Sequence, residues 1–94
     1  RQIMGRVVRW LLWRVNECVI YQCDLWYDED GELERITLGR VGHDPNALVI
    51  DLWAGYAYII LWGYDYDVDI DKALDALQLF FEKCIVVHEE VEEY

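Results

Sequence analysis

Residues 48–66 read LVIDLWAGYAYIILWGYDY, and the predicted sheet is centred on this stretch. Residues 52–64 within it carry no charge, and most are aromatic, branched or small. Aromatic and branched side chains favour strands, but one strand through the whole stretch would exceed the usual length of about 3–10 residues. We therefore predict two strands at the centre of a small sheet, 47–53 and 56–66, joined by a reversal near Ala54-Gly55.

Two further predicted strands precede this stretch and complete a meander. Residues 18–27, CVIYQCDLWY, alternate in the manner of a strand with two different faces. The Asp-Gly pair within residues 28–31 readily supplies the positive φ of a tight hairpin, and the next strand covers Leu33–Val41. Residues 42–46 predict a second turn, in which Asp44 accepts a backbone hydrogen bond.

Helices are predicted at both ends of the chain. Apolar residues recur at i, i+3, i+4 and i+7 over residues 2–16, which predicts an amphipathic N-terminal helix. Near the other end, Asp69 or Asp71 is expected to cap a helix running from about residue 72 to about residue 90. The β-branched run Ile85-Val86-Val87 disfavours a helix and leaves open a fifth strand in its place.

The predicted fold is a single domain, residues 1–94, of the α+β class. An N-terminal amphipathic helix is followed by a four-stranded antiparallel meander and a C-terminal helix, in the order α-β-β-β-β-α. Because a sheet must bury an apolar face, both helices are expected on one face of the sheet.

The charge balance limits the partners that this chain can bind. The net charge of −11 disfavours contact with nucleic-acid phosphates and with anionic membrane surfaces, so neither is an expected partner. An odd number of cysteines argues against a closed disulfide framework and favours a reducing compartment such as the cytoplasm. No uncharged run approaches the roughly 20 residues that a membrane-spanning helix needs.

The candidate binding surface is aromatic. Along the predicted strand 56–66, alternate side chains point away from the two helices, which leaves the other sheet face uncovered. Large uncovered apolar patches mark interaction sites, and Tyr and Trp contribute much of the contact energy at interfaces. The alternative is that one helix crosses to this face or that the rings wrap the sheet. The predicted partner-binding residues are Trp26, Trp53, Tyr58, Trp62, Tyr64 and Tyr66.

Two sets of residues have the ligand types of a metal site, but neither predicts one. Carboxylates at Asp65, Asp67, Asp69 and Asp71 would suit a hard cation, yet acids at a helix N-terminus are the favoured interpretation. The second set has the ligand types of a zinc site, but residues 18 and 23 face opposite sides of a strand. Its members are Cys18, Cys23, Cys84 and His88. No metal or other cofactor is expected.

The function predicted from these features is a non-catalytic interaction domain. The chain has no serine, no glycine-rich phosphate loop and no H-E-x-x-H motif, and no catalytic residue is identified. The first hypothesis is association through the aromatic face, as a homodimer or with another protein. An alternative is an acidic inhibitor that covers a basic, nucleic-acid-binding site on its partner. A further alternative, suggested by the missing serine, is an artificial sequence without a native function.

Overall fold

A computed structural model describes residues 5–94 as one seven-stranded antiparallel sheet with a single α-helix against one face. The spatial order of the strands is β6-β5-β4-β3-β2-β1-β7. The strands are β1 (Arg6–Arg14), β2 (Val19–Tyr27), β3 (Leu33–Arg40), β4 (Leu48–Asp51), β5 (Tyr56–Leu61), β6 (Tyr64–Val68) and β7 (Cys84–Glu93). The helix α1 covers Ile70–Glu82, and a single 3-10 turn spans Val15–Glu17.

Six consecutive strands form a meander, and the seventh strand is added at the edge of the sheet beside β1. Each of β1 to β6 pairs with the strand before or after it in sequence. The helix then carries the chain from the β6 edge of the sheet to the opposite edge, where β7 pairs with β1. Residues 5–94 therefore form mainly a β-sheet with one helix, and the predicted two-helix α+β arrangement is wrong.

The predicted N-terminal helix is replaced by β1. Residues 2–4 lie outside the described part of the chain, but Arg6–Arg14 pair with β2 on one side and β7 on the other. Val8 and Leu12 lie on the face that α1 covers, whereas Val7 is buried on the opposite face. A strand that is apolar on both faces does not alternate cleanly, and its apolar positions coincide with helical spacing.

The C-terminal helix is shorter than predicted. It ends at Glu82, and residues 84–93 form β7 instead of a helix continuing to about residue 90. The β-branched run Ile85-Val86-Val87 favours this outcome, because such side chains lose χ1 freedom in a helix. Pairing with β1 adds a contact that local sequence does not show, in which Trp10 Nε1 donates to Glu89 Oε2 at 2.7 Å.

The predicted strand 56–66 is two strands. Leu61 pairs with Tyr64, and the two residues between them, Trp62 and Gly63, have φ values of 55° and 78°. Two successive positive φ values are the signature of a type I′ hairpin turn, whose usual sequence is Asn-Gly or Asp-Gly. Tryptophan is not typical of this position, which is why the sequence did not predict the turn.

The turns with strong local signals form where predicted. Asp28 Oδ1 accepts hydrogen bonds from the backbone N–H groups of Asp30 and Glu32, both at 2.9 Å. Asp44 Oδ1 accepts from the Asn46 N–H at 2.9 Å in the second turn. The chain also reverses at Ala54-Gly55, and Asp69 caps α1 by accepting from the Lys72 N–H at 3.0 Å.

The main core lies between α1 and the sheet. Its buried members come from five strands and the helix: Leu12, Cys23, Leu25, Ile36, Leu38, Ile50, Ala57, Ala73 and Leu77. Near the end of α1, Phe81 packs edge-on against Trp10 and Phe80 against Tyr21, with ring centroids 5.8 and 4.8 Å apart. No helix in residues 5–94 is long and apolar enough to span a membrane.

The opposite side of the sheet, here called the open face, is partly closed by its own side chains. Thr37 and Val49 are buried there although α1 lies on the other side. Arg9 binds the buried Asp24 carboxylate through two hydrogen bonds of 2.9 and 3.1 Å. The β3–β4 loop approaches Gly39 so closely that a Cβ there would overlap the backbone of the loop. The open face is therefore not a bare aromatic platform.

Candidate functional site: two exposed aromatic regions

The six predicted partner-binding residues do not share one surface. Trp26 and Tyr58 lie on the open face and are half-buried, and Trp53 lies in the β4–β5 turn. Trp62 is at the tip of the β5–β6 hairpin, and Tyr64 and Tyr66 follow it on β6. Trp26 and Trp53 therefore form one group and Trp62, Tyr64 and Tyr66 another, near opposite ends of β5, and Tyr58 lies between them on the open face. A strand of six residues separates these ends by about 20 Å.

The β5–β6 hairpin carries the first group, which we call the hairpin patch. Ile59 lies directly opposite Tyr66, and Leu61 lies opposite Tyr64. Directly paired residues share a face of the sheet, and this face is the one that holds the buried Ala57 and α1. The hairpin patch consists of Ile59, Leu61, Trp62, Tyr64 and Tyr66.

The same register separates apolar residues from carboxylates. Asp65 pairs with Ile60 and Asp67 with Tyr58, so both aspartates lie on the open side of the hairpin. Alternation of Tyr and Asp along β6 thus leaves the α1 side free of charge and the open side acidic. The hairpin patch has no carboxylate within it.

The hairpin patch is exposed because α1 crosses the sheet diagonally. The helix begins just after Val68, at one end of β6, and the chain re-enters the sheet at Cys84, opposite Arg14 of β1. The corner formed by Leu61 and Tyr64 lies away from this path. All five residues of the patch are exposed, Trp62 at 86% and Tyr64 at 69% of their surface. The row Leu38–Leu48–Ile59–Tyr66 connects the patch to the core.

Trp62 adds a second observation at the same place. Its φ of 55° lies in the left-handed region, which costs a residue with a Cβ about 1–2 kcal/mol. In the isolated chain, the exposed indole makes few contacts that could offset this cost. Backbone strain of this kind is typical of functional positions.

The charges are distributed unevenly between the two ends of the strands. At one end, which we call the acidic end, the β2–β3 and β4–β5 turns meet the start of α1 and the end of β7. Its acidic residues are Asp28, Glu29, Asp30, Glu32, Glu34, Asp51, Asp69, Asp71, Glu92 and Glu93. Its basic residues, among those described, are Arg6, Arg35 and Lys72.

The other end, which we call the neutral end, holds the β1–β2 and β3–β4 connections, the hairpin tip and the end of α1. Its described charges balance: Arg14, Arg40 and Lys83 against Glu17, Asp44 and Glu82. Trp62 is thus at the neutral end and Trp53 at the acidic end. Most of the net charge of −11 belongs to the acidic end.

A depression of about 420 Å³ opens at the acidic end of the open face. Its aromatic walls are Trp26, Trp53 and Tyr56, and its polar lining is Glu34, Arg35 and Asp51. Trp53 is 83% exposed, the highest value after Trp62 among the large apolar residues described. Its position here was missed because the sequence predicted one aromatic face.

The four carboxylates considered as candidate metal ligands do not converge. Asp69 is occupied as the cap of α1, Asp71 lies in the first helical turn, and the other two candidates lie on β6. Across residues 5–94, no group of three or more His, Cys, Asp or Glu side chains is arranged to hold a metal ion.

Two of the three free cysteines, Cys23 and Cys84, are fully or partly buried. Burial raises the pKa of Cys23 to about 12, and burial also raises the pKa of Cys84. Burial therefore disfavours the thiolate, which is the reactive form of cysteine, at both positions. His88 Nε2 lies 2.9 Å from Glu90 Oε1, on the acidic half of β7.

Comparisons with known proteins add no further site. The chain matches no protein-family model, and no curated protein or solved structure is significantly similar to it.

Proposed function

We propose that this protein is a non-catalytic interaction domain that self-associates through the hairpin patch, most simply as a homodimer with a twofold axis. The observation that carries the proposal is the exposure of Trp62 at a positive φ within a charge-free apolar patch. The self-association hypothesis from the sequence is kept, but its surface moves from an aromatic sheet face to the β5–β6 hairpin.

The distribution of charge allows a second copy to bind at the hairpin patch. Two chains of net charge −11 repel each other, so a self-complementary interface needs a surface where acids are absent. The hairpin patch is such a surface, because Asp65 and Asp67 point to the other side of the hairpin. Its place at the neutral end also keeps the two acidic ends apart.

The apolar core extends without a break to the hairpin patch, and this also supports a dimer formed there. Ile59 extends a row of apolar residues that begins under α1, and Tyr66 ends that row at the sheet edge. A second copy packed there removes from water the part of the row that α1 leaves uncovered, which is favourable at about 25 cal/mol per Å². Five residues are fewer than the roughly 20–30 per side of a stable interface, so we expect a weak, concentration-dependent dimer.

The test is sedimentation equilibrium over a range reaching about 1 mM, where even weak dimers are populated. Tyr64→Arg places a charge in the hairpin patch and is expected to give a monomer. Asp65→Arg is the matched control, since it puts the same side chain on the other face of the same strand. It is expected to leave the dimer intact.

Three results would contradict the proposal. A wild-type chain that stays monomeric at the highest concentration removes it. Equal weakening by Tyr64→Arg and Asp65→Arg shows that the hairpin patch is not the contact. Binding of the monomer to uncharged lipid vesicles that Trp62→Ala abolishes would show instead that the hairpin tip inserts into a membrane.

We place this activity in a reducing compartment, the cytoplasm. All three cysteines are free, and Cys18 is exposed. An exposed free thiol pairs readily with another thiol in an oxidising compartment.

A further inference from the structure

The depression at the acidic end is independent of the hairpin patch and lies at the opposite end of β5. We propose that it binds a cationic side chain, lysine or arginine, presented by a basic surface of a partner protein. In this arrangement Trp53 is the central contact residue. This inference goes beyond self-association, and neither proposal depends on the other.

The turn that carries Trp53 is held rigidly by hydrogen bonds. The Glu34 carbonyl accepts from the backbone N–H groups of Leu52 at 3.0 Å and Trp53 at 3.2 Å. The Gly55 N–H donates to the Asp51 carbonyl at 2.8 Å. The indole is therefore exposed on an ordered backbone, so a partner that covers it does not have to order the turn.

The aromatic lining suits a cation. The faces of Trp and Tyr rings are electronegative and attract ammonium and guanidinium groups within about 6 Å, Trp most strongly. Three such rings line this depression, from Trp26, Trp53 and Tyr56. A long lysine or arginine side chain also buries its methylene groups against the same rings.

The polar lining and its surroundings add a negative field. Arg35 Nη2 lies 3.1 Å from Asp51 Oδ2, so these two lining charges largely cancel. Glu34 remains in the lining, and the β2–β3 turn with its four carboxylates continues from the same end of β3. Because most of the protein's net charge lies at this end, a cationic group is attracted to it and an anionic one is repelled.

The partner is therefore a basic protein surface rather than a nucleic acid or an anionic membrane. Phosphates would meet the acidic end with like charge. A basic surface that normally contacts phosphates is complementary to the same end, and a chain docked there would block it. Charge alone attracts a basic surface without fixing its position. Contact with the aromatic rings places one side chain of the partner at a defined position.

The experiment uses two ten-residue peptides, in which glycine alternates with arginine or with citrulline, the uncharged isostere of arginine. Indole N–H resonances of the five tryptophans report the site of binding during NMR titration. We expect the arginine peptide to shift the Trp53 and Trp26 signals and to leave Trp62 unmoved, and the citrulline peptide to bind more weakly by about tenfold or more. Raising the salt concentration from about 0.05 to 0.3 M should weaken the arginine complex further.

Two variants separate this site from general attraction to an acidic protein. Trp53→Leu keeps an apolar side chain but removes the ring, and we expect it to weaken binding of the arginine peptide by about tenfold. Trp62→Leu, at an equally exposed tryptophan, is the matched control and should leave that affinity unchanged. Equal affinity of both variants, equal binding of both peptides, or shifts confined to other tryptophans would overturn the proposal. Loss of self-association in Trp62→Leu tests only the hairpin patch.

Discussion

Trp62 is the residue whose local conformation and exposure disagree most with ordinary preference. Type I′ turns favour Asn or Gly where this chain has tryptophan, and the next residue, Gly63, follows the preference. The ring is 86% exposed, so most of it makes no packing contact in the isolated chain. Under the proposed self-association, contact with a second copy would cover this side chain.

Replacing Trp62 by asparagine is therefore expected to separate stability from association. Asn-Gly is the preferred sequence for this turn, so Trp62→Asn should raise the free energy of unfolding by about 1 kcal/mol. The same change should abolish the dimer, because it removes the largest side chain of the hairpin patch. Urea unfolding at a concentration where the protein is monomeric measures the first effect, and sedimentation measures the second.

Trp53→Asn is the control for that experiment, since Trp53 does not have a positive φ. No gain in stability is expected from it. A loss of stability in Trp62→Asn would mean that the indole supports the fold, and would contradict the interpretation of strain.

Cys23 provides a test of the main core through pH. Its pKa is raised to about 12 from an ordinary value of 9.0, and the first cause is burial. Between about pH 9 and 12 the folded chain holds this proton and the unfolded chain releases it. The free energy of unfolding should therefore fall as pH rises through this window, by at most about 1.4 kcal/mol per pH unit from this group. Below pH 9 the contribution is constant.

The comparison that isolates this effect is Cys23→Ala. Tyr21 and Cys84, whose pKa values are also raised, mainly by burial, titrate equally in both proteins. Chemical denaturation at intervals of half a pH unit should show a flatter decline for the variant. Parallel curves would indicate that Cys23 is accessible to water, which would contradict its burial in the main core.

Among the structural elements, the sequence predicts the turns and helix caps whose hydrogen bonds join residues close along the chain. The turn at residues 28–31 contains both its carboxylate acceptor and its glycine, and Asp69 stands three residues before the N–H that it caps. Both formed where predicted. Interactions within four residues along the chain can be recognised from the sequence, because they do not depend on the rest of the fold.

Elements that depend on distant partners were predicted wrongly. β1 is an interior strand between β2 and β7 and carries apolar side chains on both faces, and neither neighbour can be inferred from residues 6–14 alone. β7 is bound to β1 from more than 70 residues away, through contacts such as Trp10 with Glu89. Tertiary pairing overrode the helical spacing in both segments.

Gly39 tests the contact between β3 and its following loop. A Cβ at this position would overlap the carbonyl oxygen of Asp44 and the backbone of Pro45. Gly39→Ala is therefore expected to lower the free energy of unfolding by about 2 kcal/mol or more, since neither backbone segment can move aside easily. Thermal unfolding of the variant measures this loss.

Gly31→Ala is the matched control, because a Cβ there meets nothing within 4 Å and only the positive φ of 81° opposes it. Its cost should be smaller, about 1 kcal/mol. If Gly31→Ala proved the more damaging of the two, the close packing of residues 42–46 on the open face would be refuted.

The molecule as a whole separates most of its charge, at the acidic end, from the hairpin patch. The sequence predicted an aromatic surface for association, and Trp62, Tyr64 and Tyr66 are exposed in the structure. It did not predict how these rings are grouped, because one unrecognised turn at Trp62-Gly63 sends Tyr64 and Tyr66 to the α1 side. It did not predict the two ends either, since they arise only when seven strands are placed side by side.

A dilution series of backbone amide chemical shifts by NMR shows directly whether the hairpin patch forms the dimer contact. From about 1 mM downward, the dimer should dissociate, and the amides of residues 59–66 should move together along one curve. The turn at residues 28–31, at the acidic end, should keep constant shifts and serve as the internal reference. Shifts that move along the outer edge of β7 instead, or none that depend on concentration, would contradict association through the hairpin patch.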